Sequence, residues 1–218
     1  MKRSQLAVPF LCISMMLSSL PVSAAAMDSE IVLKKQQCLT PSAVEFQNSI
    51  RKLWLEHVIW TRNFIVSAAA DMADQEHVLA RLLQNQDDLG NALKPLYGEA
   101  AGEQMSKLLR EHIVMAGQIL AAAKAGNNAE VEKLKEAWYR NADEIVNLFV
   151  SLIPTLSKKE MTELYRVHLE QVFTAAVARL NKDWATSIKV FDEGENHIIV
   201  LADTISSGII KHHPEKFK

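Results

Sequence analysis

Glycine and proline are scarce in this 218-residue chain, at seven and six residues, and aromatic residues make up only 6% of it. A chain so poor in turn-forming residues is not built from short strands joined by tight hairpins. No stretch alternates apolar and polar residues with β-branched enrichment, so sheet has no other support either. Basic blocks are missing as well, with 24 Lys and Arg set against 26 Asp and Glu. That balance argues against nucleic acid as a partner. There is no phosphate loop, dinucleotide fingerprint, nucleophile elbow or Cys-x-x-Cys pair.

One apolar run stands out. Lys2 and Arg3 precede "LAVPFLCISMMLSSL", and "PVSAAA" follows with small residues. Residues 1–26 therefore read as a secretory signal peptide, cleaved after Ala24 or Ala26. Pro9 and Pro21 bracket the run and leave it below the roughly 20 residues needed to span a bilayer. Leu11 before Cys12 does not suit lipidation. The expected mature chain is periplasmic or secreted, with no stable membrane insertion, about 192 residues and a net charge of about −4. Of the two cysteines, Cys12 leaves with the signal and Cys38 stays. An internal disulfide is then impossible, and Cys38 is either a free thiol or the bridge of a disulfide-linked dimer.

What the chain does have is helix-forming sequence, with apolar residues recurring every three or four positions in six segments. Ser42 and Glu45 suggest a capping box for the first, whose stripe is Phe46, Ile50, Leu53, His57, Trp60 and Phe64. Asp74 is the expected cap of the second, which runs through Val78, Leu82, Asn85 or Gln86, Leu89 and Leu93 to Pro95, with Gly90 as a weak point and "KPLYG" as its end. The third carries Met105, Leu109, His112, Ala116, Ile119 and Ala123 and stops at Gly126. Asn127 or Asn128 opens the fourth, with Val131, Leu134, Trp138, Asn141 or Ala142, Ile145, Phe149 and Leu152. Ser157 and Glu160 box the fifth, with Met161, Leu164, His168, Val172 and Ala176. Asp183 caps the sixth, with Ile188, Phe191, Ile198, Leu201, Ile205 and Ile209. The turns between them are short, which predicts a single-domain, all-α antiparallel helical bundle of three hairpins. Residues 27–41 form a polar lead-in, 42–211 the bundle, and 212–218 a solvated, mostly basic tail.

His57, His112 and His168 each occupy an apolar stripe in the first helix of a hairpin. In the second helices Asn85, Asn141 and His197 follow one another at intervals of 56 residues. "NQDDLG" and "NADEIV" also agree beyond the asparagine, with Asp87 matching Asp143. A helical-hairpin repeat is one explanation, and chance recurrence of apolar positions in helix-rich sequence is the other.

Imidazoles on such stripes must point inward, where burial favours the neutral form. Bundles build metal and cofactor sites from side chains projecting inward from facing helices, and neutral imidazole suits zinc, iron, copper or nickel. The candidate metal set is His57, His112, His168 and His197, with Asn141, Asp143, Asp87 and Glu193 as further ligands or orienting groups. Glu193 and His197 are spaced to share a helical face. Arg62, Arg110, Arg140 and Arg166 are the main competitors, since any could neutralise the carboxylates without a metal. A histidine on an apolar stripe is also commonly a core residue bonded to a neighbouring polar group.

The segments "LWLEHVIWTRNFI", "NQDDLGNALKPLYGEAAG", "LLREHIVMAG", "WYRNADEI" and "ARLNKDWATSIKVFDEGENH" resemble a family of small helical bacterial proteins of unassigned function. The resemblance extends from about residue 44 to residue 210 and implies the helical fold, with His57, His112, His168 and the segment from Trp138 to Ile145 as its marks. Some members carry the labels acetylglutamate kinase or glycosyltransferase. Both enzyme classes need a nucleotide-binding α/β fold, and no strand-helix alternation exists here. The leading expectation is an exported bundle binding a small ligand, foremost a transition metal ion, in a His-lined interior. A ligand-free interaction or structural module is the alternative, and a metal-dependent hydrolase with Glu193 as general base is the third reading.

Overall fold

Six helices and no strand make up residues 39–218, the part of the chain described by the computed structural model: α1 (Pro41–Ala69), α2 (Gln75–Tyr97), α3 (Glu99–Lys124), α4 (Asn128–Leu152), α5 (Lys158–Leu180) and α6 (Trp184–His212). The expected signal peptide and Cys38 lie outside the described residues, as does nearly all of the polar lead-in. Among the described residues no helix is long and apolar enough to cross a membrane.

Most helix ends follow from local chemistry. The side chains of Asn127, Ser157 and Asp183 accept hydrogen bonds from the backbone N–H groups of Glu130, Glu160 and Thr186, satisfying donors that a helix start leaves free. Two helix starts differ from expectation. Thr40, not Ser42, caps α1 by accepting from Ala43 N–H, because Pro41 is preorganised for the first helical position. Asp74 precedes α2 without capping it, since its carboxylate instead accepts from the Ser67 hydroxyl at 2.5 Å. The α2 helix runs through Pro95 to Tyr97 and ends at Gly98 with φ +86°, within the expected "KPLYG" stop. A proline so near the end forfeits only one helical bond, whereas a positive φ is cheap only for glycine.

Short connections force consecutive helices to run antiparallel, so α1, α3 and α5 point one way and α2, α4 and α6 the other. Each helix packs on the next and α6 closes on α1. The odd-numbered helices also touch one another, with no comparable packing among the even-numbered ones. The bundle is thus three hairpins around an axis, with α1, α3 and α5 innermost. Gly90 is buried within α2, and its place there is a requirement of packing. A Cβ on it would lie 2.0 Å from Ser106 Oγ and 2.4 Å from the Gly102 carbonyl, so α2 and α3 cross at backbone contact.

The core runs the length of this axis, through Ile50, Trp54, Met105, Leu109, Trp138, Ile145, Met161, Leu169, Ile198 and Ile205. A second cluster around Phe64, Ile65, Leu82, Ile113 and Leu120 fills the end where the odd-numbered helices finish. Ile188 leaves its expected stripe and is 50% exposed. The basic tail is not simply solvated. Pro214–Phe217 forms a 3-10 turn, Phe217 packs on Phe46 with ring centroids 4.9 Å apart, and the Thr40 hydroxyl donates to the Phe217 carbonyl at 2.5 Å.

Candidate functional site: a buried layer of imidazoles

His57, His112 and His168 sit near the middle of α1, α3 and α5, each no more than 3% exposed. Because those three helices are parallel and innermost, the rings share one layer across the axis. The His57 and His168 ring centroids are 5.4 Å apart, and His112 lies close enough for its charge to be opposed by that of His57. Trp54 and Tyr165 close the layer on one side, with Trp54 edge-on to His57 at 5.6 Å. Trp138 stacks on His112 at 5.0 Å, and its indole N–H donates to the His112 carbonyl at 3.1 Å.

The hydrogen bonds define the protonation of His112. Asn141 Nδ2 donates to the Leu108 carbonyl at 3.1 Å, which turns Asn141 Oδ1 toward His112 Nδ1, 2.8 Å away. An amide oxygen only accepts, so the proton is on Nδ1 and Nε2 carries a lone pair. His112 Nε2 is buried with no hydrogen-bond partner, and so is His57 Nδ1. Thr61 Oγ1, Gln86 Oε1, Tyr165 Oη and Gln171 Oε1 are also buried without partners. So many unmatched polar atoms in one interior are unusual, since each costs about 1–3 kcal/mol.

All three imidazoles are held neutral. Burial pulls His57 down to about 4, opposed by a hydrogen-bonding approach of the Gln86 side chain, so Gln86 Oε1 and the His57 ring are near partners whose geometry falls short of a full hydrogen bond. Burial takes His112 to about 3, against the pull of Asn141 and with a further push from His57. Burial likewise sets His168 well below its ordinary range, helped by His57, His112 and His197.

The remaining sequence candidates divide cleanly. Asn85 Nδ2 donates to the Leu53 carbonyl at 3.0 Å, Asn141 to that of Leu108, and His197 Nε2 to that of Leu164 at 2.8 Å. Each acceptor lies four residues before the histidine of the same hairpin, so the 56-residue spacing corresponds to one bond made three times. Asn85, Asn141 and His197 are fasteners between the helices of a hairpin. Asp87 and Asp143 are not in the imidazole layer. They lie 36% and 47% exposed and pair with Arg110 at 2.9 Å and Arg166 at 2.7 Å, each bond joining one hairpin to the next. Glu193 pairs with Lys189 on the surface. Glu193 thus lies away from the imidazole layer, and of the four arginines Arg110 and Arg166 neutralise Asp87 and Asp143. Among the described residues no group of three or more His, Cys, Asp or Glu side chains has the geometry to hold a metal ion.

Sequence reasoning missed Thr61, Gln171 and Tyr165. Thr61 was detectable, lying one turn beyond His57 as Ala116 and Val172 lie beyond His112 and His168. These three residues line an apolar pocket of about 30 Å³ that continues along the axis past Phe64, Leu120 and Ala176. No family model, curated protein or solved structure matches the chain.

Proposed function

We propose that this is an exported binding protein that takes a small ligand between His57, His112 and His168, a transition metal ion being the ligand such imidazoles suit best. One observation carries the reading: three neutral imidazoles from three helices meet in one buried layer, with His112 Nε2 unpartnered. A structural histidine spends its ring nitrogens on neighbours, as His197 spends Nε2 on the Leu164 carbonyl. Binding a metal requires the rings to turn toward a common point, with bonds of about 2.0–2.1 Å. The layer supplies no carboxylate, so a buried ion must be a monocation or a dication bearing hydroxide.

Zinc, cobalt(II) and copper(I) titrated into tag-free, metal-stripped protein test this. Binding should approach one equivalent and disappear in His112→Ala. Less than about 0.2 equivalents of each, with no change in melting temperature, ends the metal reading.

The three matched fasteners favour a second reading, in which the polar layer only sets the register of the hairpins. In that case His57→Leu and His112→Leu are neutral or stabilising, because an apolar group replaces an unmatched polar one.

A further inference from the structure

The hairpin repeat shows a gap. Leu82, Trp138 and Gly194 are spaced by 56 residues, so they hold corresponding places on α2, α4 and α6. Leu82 and Trp138 are buried, at 0% and 2% exposure, and fill the space beside their hairpin's inner helix. Gly194 has no side chain to do so, and a Cβ built on it would meet nothing nearer than Gln171 Oε1 at 3.9 Å. A cleft of about 40 Å³ opens there between α1, α5 and α6. His168 is the one imidazole of the three that lines it.

The third hairpin is thus built like the second with its indole removed. In the second, Trp138 stacks on His112 and donates its N–H to the His112 carbonyl. In the third, His168 is 3% exposed and has the tilted His57 ring as its aromatic neighbour, with no indole stacked on it. Gln171 Oε1 and Thr61 Oγ1 border the same cleft, buried and unpartnered. Oε1 can only accept, so what it lacks is a donor. The outer wall is Phe191 and Arg62, both partly exposed. The guanidinium lies 4.7 Å over the Phe191 ring and donates to the Ser187 carbonyl at 3.2 Å.

From this we infer that the cleft over Gly194 binds a small planar heteroaromatic molecule carrying an N–H donor, of indole size. Its ring takes the place that Trp138 takes in the second hairpin, against His168. Its N–H is directed to Gln171 Oε1 or the His168 carbonyl. The free volume is smaller than such a ring, so binding requires Arg62 and Phe191, the partly exposed outer wall, to be displaced from their contact with each other. This site needs His168 alone and does not rest on metal binding.

The test uses indole and benzofuran, which share a shape but differ in the N–H, with the His168 ring signals followed by NMR. Indole should shift His168 more than His57 or His112, with a dissociation constant of about 1 mM or tighter. Benzofuran should bind about tenfold more weakly, having no donor for the buried oxygen. Gly194→Trp should fill the cleft covalently, raise the melting temperature and abolish the response to indole. Gly194→Leu, which copies the side chain at position 82, serves if the tryptophan variant does not fold. Indole that leaves His168 unmoved at about 10 mM overturns the proposal. So does indole that binds both position-194 variants as well as the original chain. A failed metal titration leaves the indole result standing, so the two readings fail separately.

Discussion

Acid should destabilise this protein before its carboxylates titrate. An exposed histidine in the unfolded chain takes up a proton near pH 6.5, whereas folded His57 and His112 hold out to about 4 and about 3, and His168 to well below its ordinary value. Between those limits the unfolded state binds more protons than the native one, so stability falls as pH falls. At pH 5 the unfolded chain is 1.5 pH units below its histidine pKa, which is worth about 2 kcal/mol for each buried ring, or about 6 kcal/mol for the three. A domain of this size holds roughly 5–15 kcal/mol in all. Urea denaturation at pH 7 and pH 5 should show most of that loss over a range in which Asp and Glu stay largely ionised. His112→Leu should remove about a third of the pH dependence, or about 2 kcal/mol, whatever it does to stability at pH 7. A stability change below about 1 kcal/mol between pH 7 and pH 5 would refute the burial argument, as would three ring signals titrating near 6.5 in the folded protein.

Asn141→Ala removes both the bond to His112 Nδ1 and the fastener to the Leu108 carbonyl, leaving a buried donor unmatched; urea titration should show a loss of about 2–3 kcal/mol. Gly90→Ala drives a methyl group into Ser106 and the Gly102 carbonyl, so despite the better helix propensity of alanine a net loss of about 2 kcal/mol is expected. A double-mutant cycle on Arg166 and Asp143 should give a coupling of only about 0.5 kcal/mol, both side chains being more than 40% exposed, and neither change should alter metal uptake. Metal binding that vanished in Asp143→Ala would restore that carboxylate to the site.

Helical periodicity, together with scarce glycine and short turns, was enough to establish six helices and their pairing. A residue's place on an amphipathic stripe depends only on its neighbours along the chain, so the inward direction of His57, His112 and His168 was legible too. The caps at Asn127, Ser157 and Asp183 are equally local. What the linear pattern could not convey was which polar groups meet. Asp87 and Asp143 share their helices with Asn85 and Asn141, yet a two-residue step turns them by about 200° and delivers them to Arg110 and Arg166 of the next hairpin. The split between the fasteners and the imidazole layer likewise depends on the distance between helices, as does the emptiness over Gly194. Those distances are set by the close packing of all six helices at once, and no single segment contains them.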